Sequence, residues 1–317
     1  MISLHRVSKQ FPNSKSPAVS ELSLEVGEGE TVMLVGPSGC GKTTTLKMIN
    51  RLIERSSGSI LVNGKEILDE DPVKLRRGIG YVIQSIGLLP HRTIAQNMGT
   101  VPQLAGWDRD RIRRRVEELA GMLQLDEELL RRYPSELSGG QRQRVGVARA
   151  LAADPPVMLM DKPFGAVDPV IRGHLQDQFL ELQERLRKTI VMVTHDIDEA
   201  IKMADRIAIL NVGGVLEQYA SPEEILRSPA NEFVAEFVGA ERGLKRLALL
   251  PVAGIELDPL EETTPGAFHA RVSPRSSLRE ALDAMLTSKA RAAVVVGEDG
   301  RHLGLLTLER ISRQLAT

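Results

Sequence analysis

The sequence predicts an α/β fold: a largely parallel sheet flanked by helices, followed by a small α+β unit. Three observations predict it. Short apolar, β-branched runs alternate with helix-like segments up to about residue 239. A glycine-rich turn, "GPSGCGKTT" (36–44), joins one buried strand to a helix. Beyond residue 239 the alternation stops, and a proline-bearing stretch leads into a β-α-β-β-α pattern.

The strands "TVMLVG" (31–36), "VMLMD" (157–161), "TIVMVTH" (189–195) and "RIAILNVG" (206–213) are continuous apolar runs. Strands buried on both faces read this way, and intervening helices imply parallel neighbours. Residues 94–150 are richer in helix and predict a helical subdomain within a first domain spanning 1–239. "SPEEILRSP" (221–229) predicts a capped helix between two Ser-Pro breaks. "LLPVAGIELDPLEETTPGAF" (249–268) has three prolines, an acidic patch and no periodicity, so 240–267 is expected to be a linker. The last segment, 268–317, predicts a helix at "SSLREALDAML", a strand "AAVVVG", a turn "EDGRHLG", a strand "LLTL" and a final helix. So short a unit has a thin core and is expected to pack against a copy of itself or a neighbour.

The bulk numbers exclude several function classes. Of 317 residues, 42% are hydrophobic and 26% charged, which is ordinary for a globular protein. A net charge of -1 gives no global basic field for nucleic acid. The basic run at 108–122 alternates with apolar positions at helical spacing, and reads as a solvated face or docking surface. Cys40 is the only cysteine, which rules out an internal disulfide and suits a reducing compartment. No apolar run approaches the roughly 18–20 residues that span a bilayer. "MISLHRVSKQF" lacks the apolar core of a signal peptide. The expected location is the cytosol, with any membrane work done through a partner.

Residues 36–44 match G-x-x-x-x-G-K-[ST], after a strand and before the helix-like "TLKMIN". Gly36, Gly39 and Gly41 let the backbone curl so that its N–H groups face phosphates, and the helix start adds a positive dipole. Pro37, Ser38 and Cys40 fill the variable positions, with Cys40 a bystander, and Thr44 follows the motif. Lys42 is expected to reach the β- and γ-phosphates of a nucleotide triphosphate, and Thr43 to ligate Mg²⁺. Asp161, closing its strand, is the natural companion for that Mg²⁺, although a strand-terminal Asp is also an ordinary helix cap.

"LSGGQRQRVGVARAL" (137–151) resembles the signature motif of ABC transporter ATPase subunits. The resemblance implies a P-loop ABC-type nucleotide-binding domain over residues 1–239, with ATP and Mg²⁺ as cofactors. It assigns Gln84 in "YVIQSIGLLPH" as the Q-loop glutamine, near magnesium and the membrane subunits. Asp168 in "GAVDP" becomes the D-loop aspartate, His195 the switch histidine at the γ-phosphate, and Phe11 the ring against adenine. Ser138, Gly139, Gly140 and Gln141 start the signature helix, which in the family closes over ATP held by the opposite subunit. The chain is therefore expected to be a head-to-tail homodimer working with transmembrane permease subunits and, indirectly, a solute-binding protein. Nucleic acid is not among its expected partners.

"GIGYVIQSIGLLPHRTIAQNM" and "EFVGAERGLKRLALLPV" look most like ATPase subunits of importers for glycine betaine, carnitine, choline or proline. The tail resembles a cystathionine-β-synthase (CBS) repeat, of which such subunits often carry two; one is found here. The expected place is the cytoplasmic face of the membrane, peripheral. One residue departs from the pattern. Lys162 stands where the family has a Glu that polarises the attacking water, so hydrolysis is expected to be slow or absent. Two alternatives stay open: an importer of another small solute such as an amino acid, and a nucleotide switch that does not turn over.

Overall fold

The computed structural model describes residues 1–12, 14–165, 168–260 and 270–316. By internal contacts the chain divides into two compact units, Met1–Pro222 and Glu223–Thr317.

A six-stranded sheet organises the first unit, in the order Val215–Ala220, Arg206–Asn211, Thr31–Val35, Thr189–Val193, Val157–Asp161, Ile79–Val82. The last five run parallel, and Val215–Ala220 pairs antiparallel with its neighbour. Thr31–Val35, Val157–Asp161 and Thr189–Val193 are buried at every position, as their unbroken apolar runs require. A second sheet of four strands, ordered Val19–Val26, Ile2–Lys9, Ser57–Val62, Lys65–Glu66, is antiparallel. Its inner face, with Ile2, Leu4, Leu22, Leu24 and Ile60, joins one apolar core with Val32, Leu34, Leu159 and Val193.

Between the Ile79–Val82 and Val157–Asp161 strands lies the expected helical part, with helices at Ile94–Met98, Thr100–Leu104, Arg109–Met122 and Gly139–Leu151. Their starts are legible. Asp108 caps the Arg109 helix through the Arg111 N–H, and Thr93 forms a reciprocal capping box with Gln96. The Gly139–Leu151 helix packs against the Ile79–Val82 strand, which ties the helical part to the sheet.

In the second unit, the strands Ala270–Val272, Ala292–Val296 and His302–Thr307 form a sheet in that order, with helices Leu278–Thr287 and Leu308–Ala316. This is the β-α-β-β-α order expected from the sequence. The 240–267 linker is different. Arg242–Leu249 is a helix and Val252–Gly254 a helical turn, and Leu247 and Val252 belong to the same apolar core as Val272, Leu278, Met285 and Leu306. Asp258 pairs through its backbone with Leu305, adding to the sheet edge. Prolines and acidic residues masked a segment that gains its order from a core formed later in the chain. The rest of that segment, 261–267, lies outside the described residues. The division at Pro222/Glu223 also places 223–239 with the second unit rather than with the first domain expected to run to 239.

Candidate functional site

Parallel pairing brings four strand ends to one edge of the sheet. The register pairs Leu34 with Val193, Val193 with Asp161, and Met160 with Val82. The residues that follow those rows are therefore the glycine loop from Gly36, Thr194–His195, Lys162, and Ile83–Gln84. Backbone bonds carry the alignment one step past the strands: Thr194 N–H donates to Leu34 C=O (3.2 Å), and Lys162 N–H to Val193 C=O (2.9 Å). With strands about 4.8 Å apart, the loop and the Asp161–Lys162 edge are separated by about 10 Å. In open α/β sheets ligands bind at such an edge.

The loop itself is built by close approach. A Cβ on Gly36 (φ 143°) would stand 2.0 Å from the Leu210 carbonyl, and one on Gly41 (φ 92°) 2.3 Å from the Ala18 carbonyl. Gly39 faces open space. Lys42 is buried and donates to the carbonyls of Gly36 (2.7 Å) and Pro37 (2.8 Å) and to Cys40 Sγ (3.3 Å). Cys40 is fully buried in the core beneath the loop, so its side chain shapes the turn from behind. The Thr43 hydroxyl donates to Asp161 Oδ1 at 3.1 Å, joining the Lys42–Ile49 helix to the strand end two positions away in the sheet.

These groups fit a magnesium-bound polyphosphate. The hydroxyl and carboxylate are the hard oxygen ligands Mg²⁺ takes, and Mg²⁺ keeps most of its shell for water and phosphate. No group of three or more His, Cys, Asp or Glu among the described residues is placed to hold a metal ion. Tyr81, on the adjacent strand, has its phenol pushed up to about 12 by burial and by the Asp161 charge.

Around this centre, His195 and Gln84 are exposed at their strand ends, and Lys162 is half-buried. Lys162 adopts φ 46°, a left-handed conformation that side chains other than glycine seldom take. Asp168 is exposed, and its carbonyl accepts from the Arg172 N–H (2.8 Å); Ala166 and Val167 of the same motif lie outside the described residues. Phe11 is an exposed ring with Lys9 Nζ 5.1 Å from its centroid. Ser138 and Gln141 bond each other reciprocally at the start of the Gly139–Leu151 helix, leaving the N-terminal N–H groups of Gly139 and Gly140 at its tip. The fold thus gathers the loop, Thr43, Asp161, Lys162, Gln84 and His195 at one sheet edge and sets Ser138–Gln141 on a separate helix. A groove of about 480 Å³ opens beside Gln84, lined also by Leu88, Pro134, Gly139 and Arg142.

Three polar groups next to this edge, two of them buried and Arg149 half-buried, are absent from the sequence reading. Glu199, in the helix after His195, accepts from Gln176 Nε2 (3.0 Å) and from the Thr194 hydroxyl, and burial holds its carboxyl above the ordinary value. Asn97 is fully buried and makes four bonds to the loop that follows Gln84. Arg149 binds the carbonyls of Ile86 and Gly87. Each spacing was visible, but a polar residue within a helix gives no local sign of distant partners.

Glycine-rich loop, helix start and Thr43–Asp161 pair together define a P-loop nucleotide-binding domain. The family pattern described as ABC transporter matches residues 19–165, and that described as CBS domain matches residues 270–317. The chain is 53% identical over 310 residues to the osmoprotectant import ATP-binding protein OsmV of Salmonella typhimurium, covering 96% of this chain and 79% of that protein. It is 48% identical over 313 residues to the glycine betaine/carnitine/choline transport ATP-binding protein OpuCA of Bacillus subtilis, covering 99% and 80%. The chain belongs to the ABC transporter ATP-binding family and carries a CBS domain. Among solved structures, a dimeric post-hydrolysis ATP-binding cassette bound to ADP and Pi matches with a TM-score of 0.64 at 33% identity, over 70% of this chain and 99% of that one. No helix among the described residues is long and apolar enough to cross a membrane.

Proposed function

We propose that this chain is the ATP-binding subunit of an importer for quaternary-amine osmoprotectants, and that it closes as a head-to-tail homodimer on Mg-ATP but hydrolyses it slowly. The observation that carries the reading is the row of strand ends, which lines up the glycine loop, the Asp161–Lys162 edge and Gln84. The solute class rests on the relatives named above, and the dimer on the dimeric cassette that shares the fold.

In this reading Phe11 stacks on adenine, and the N–H groups of residues 38–44 with Lys42 hold the phosphates. Thr43, Asp161 and Gln84 hold Mg²⁺, which when bound neutralises charge on the β- and γ-phosphates. His195 faces the γ-phosphate, and Ser138, Gly139, Gly140 and Gln141 cover the nucleotide of the partner subunit, with Asp168 beside the seam. The groove next to Gln84 is where a transmembrane permease subunit docks, with a solute-binding protein beyond it. The chain then sits peripherally on the cytoplasmic face of the membrane.

Lys162 sets the rate. An ammonium offers three donors and no acceptor, so it cannot take a proton from attacking water. Loss of a positioned base lowers turnover by roughly 10²–10⁴. The decisive experiment measures ATP binding, ATP hydrolysis and solute uptake in liposomes with the permease subunits, for this chain and for Lys162→Glu. The expected result is equal affinity, at least about a hundredfold faster turnover in Lys162→Glu, and uptake competed by glycine betaine, carnitine or choline. Equal turnover removes the role given to Lys162. Uptake competed only by an amino acid removes the solute class.

A further inference from the structure

The segment after Gln84 is bent against its own preference. Ile86 has φ 61°, and the Gly87 N–H donates to the Ser85 carbonyl at 2.7 Å, closing a γ-turn of the positive-φ kind. That turn is rare and strained, and a β-branched residue at its centre makes it more so. Left alone, the segment would relax and carry Gln84 with it.

The Gly139–Leu151 helix supplies what holds it. Arg149 donates from Nη1 to the Gly87 carbonyl (2.5 Å) and from Nη2 to the Ile86 carbonyl (2.6 Å), a rigid fork across two successive peptides. One turn earlier on that helix, Gly146 leaves room for the Ile86 side chain: a Cβ there would stand 2.8 Å from Ile86 Cγ2. Partial burial lowers the Arg149 guanidinium from its ordinary value.

We infer that Arg149 is a positioning residue for the nucleotide site: from the signature helix it clamps the strained Ile86 turn and so keeps Gln84 at the sheet edge. The inference rests on the role given to Gln84 above. It makes Gln84 answer to movement of the signature helix, because the clamp and the seat for Ile86 both belong to that helix.

The test compares the full-length chain with Arg149→Met, Ile86→Gly, the double variant and Gln84→Ala. For each, affinity for a fluorescent ATP analogue is measured with Mg²⁺ and with EDTA, and the ratio reports the contact through Gln84. Arg149→Met and Gln84→Ala should each lower the ratio by about tenfold, with affinity in EDTA unchanged. Glycine takes a positive φ without strain, so Ile86→Gly should leave the ratio unchanged, and in the double variant the ratio should return to within about threefold of the parent. A lysine at 149 keeps the charge but lacks the fork, and Arg149→Lys should behave like Arg149→Met. If Arg149→Met fails to fold, Gly146→Ala, which pushes Ile86 off its seat, carries the same expectation. A loss that Ile86→Gly does not rescue overturns the inference, since Arg149 then only supports the helix. So does an unchanged ratio in Arg149→Met while Gln84→Ala lowers it. An unchanged ratio in Gln84→Ala removes the role of Gln84 itself, and the inference falls with it.

Discussion

Replacing Asn97 by leucine removes the polar pin of the loop between Gln84 and the first helix of the helical part, at nearly constant volume. The amide makes four bonds: its Oδ1 accepts from the Leu89 N–H (2.7 Å), and its Nδ2 donates to the carbonyls of Leu89 (3.1 Å), Arg92 (3.1 Å) and Thr93 (3.0 Å). Two of these carbonyls keep a second partner, because Leu89 C=O also accepts from the Arg92 N–H and Thr93 C=O from the Asn97 N–H. The loss therefore falls mainly on the Leu89 N–H and the Arg92 carbonyl. At about 1–3 kcal/mol for each of the two groups stranded, Asn97→Leu should destabilise the first unit by roughly 2–6 kcal/mol. Urea unfolding should show a lower midpoint at unchanged slope, and hydrogen exchange should quicken at the Leu89 amide. Asn97→Asp adds a sharper contrast. It keeps the acceptor for Leu89 but aims a carboxylate at three carbonyls, which raises its folded pKa above the unfolded one. Its penalty is then full above the folded pKa and relieved as pH falls toward the unfolded value. A loss under about 1 kcal/mol for Asn97→Leu would refute the reasoning. The loop would then owe its shape to something other than this side chain.

Three further outcomes follow from the same geometry. Glu199 has its carboxyl raised above 4.5, chiefly by burial, so the folded chain loses stability as pH rises from that value through the folded pKa. Glu199→Gln should flatten this part of the stability–pH curve; parallel curves in thermal unfolding would show the carboxyl to be neutral to folding. Gly36→Ala would set a methyl 2.0 Å from the Leu210 carbonyl, so it should abolish ATP binding and lower the unfolding midpoint, whereas Gly39→Ala, with open space but a φ of 83°, pays only backbone strain and should lower the midpoint less. Equal unfolding midpoints for the two would contradict the packing described for the loop. Thr43→Val keeps the shape but removes the hydroxyl on Asp161. It should lower affinity for Mg-ATP by about tenfold and leave binding in EDTA unchanged, as read by titration calorimetry.

Much of this was legible in the sequence because its causes are local. The glycine loop, the buried strands with their terminal Asp161 and His195, and the capping residues Asp108 and Ser277 act through neighbours a few positions away. The helix Arg242–Leu249 was hidden for the opposite reason. Its eight residues do carry a one-sided apolar pattern, but so short a helix does not stand alone, and the core that orders Leu247 is completed by residues as distant as Ile311. Arg149 and Glu199 were hidden because their partners lie on other elements, and Asn97 because the loop before its helix has to fold back over it before the bonds exist. The sequence shows that such residues are polar. Only the packed chain shows that Asn97 and Glu199 are buried and Arg149 partly so.

The bonds within the glycine loop bear on how nucleotide comes and goes. With Lys42 already held by the carbonyls of Gly36 and Pro37, arrival of a phosphate is an exchange of partners rather than the filling of an unmet demand. The gross attraction between ammonium and phosphate is offset by two bonds given up, so the net gain is smaller than that attraction alone. The reverse holds for product: a departing phosphate leaves behind a lysine that can return to the carbonyls, and no bare charge is stranded in the core. A site of this kind favours release, which opposes the slow turnover proposed for Lys162.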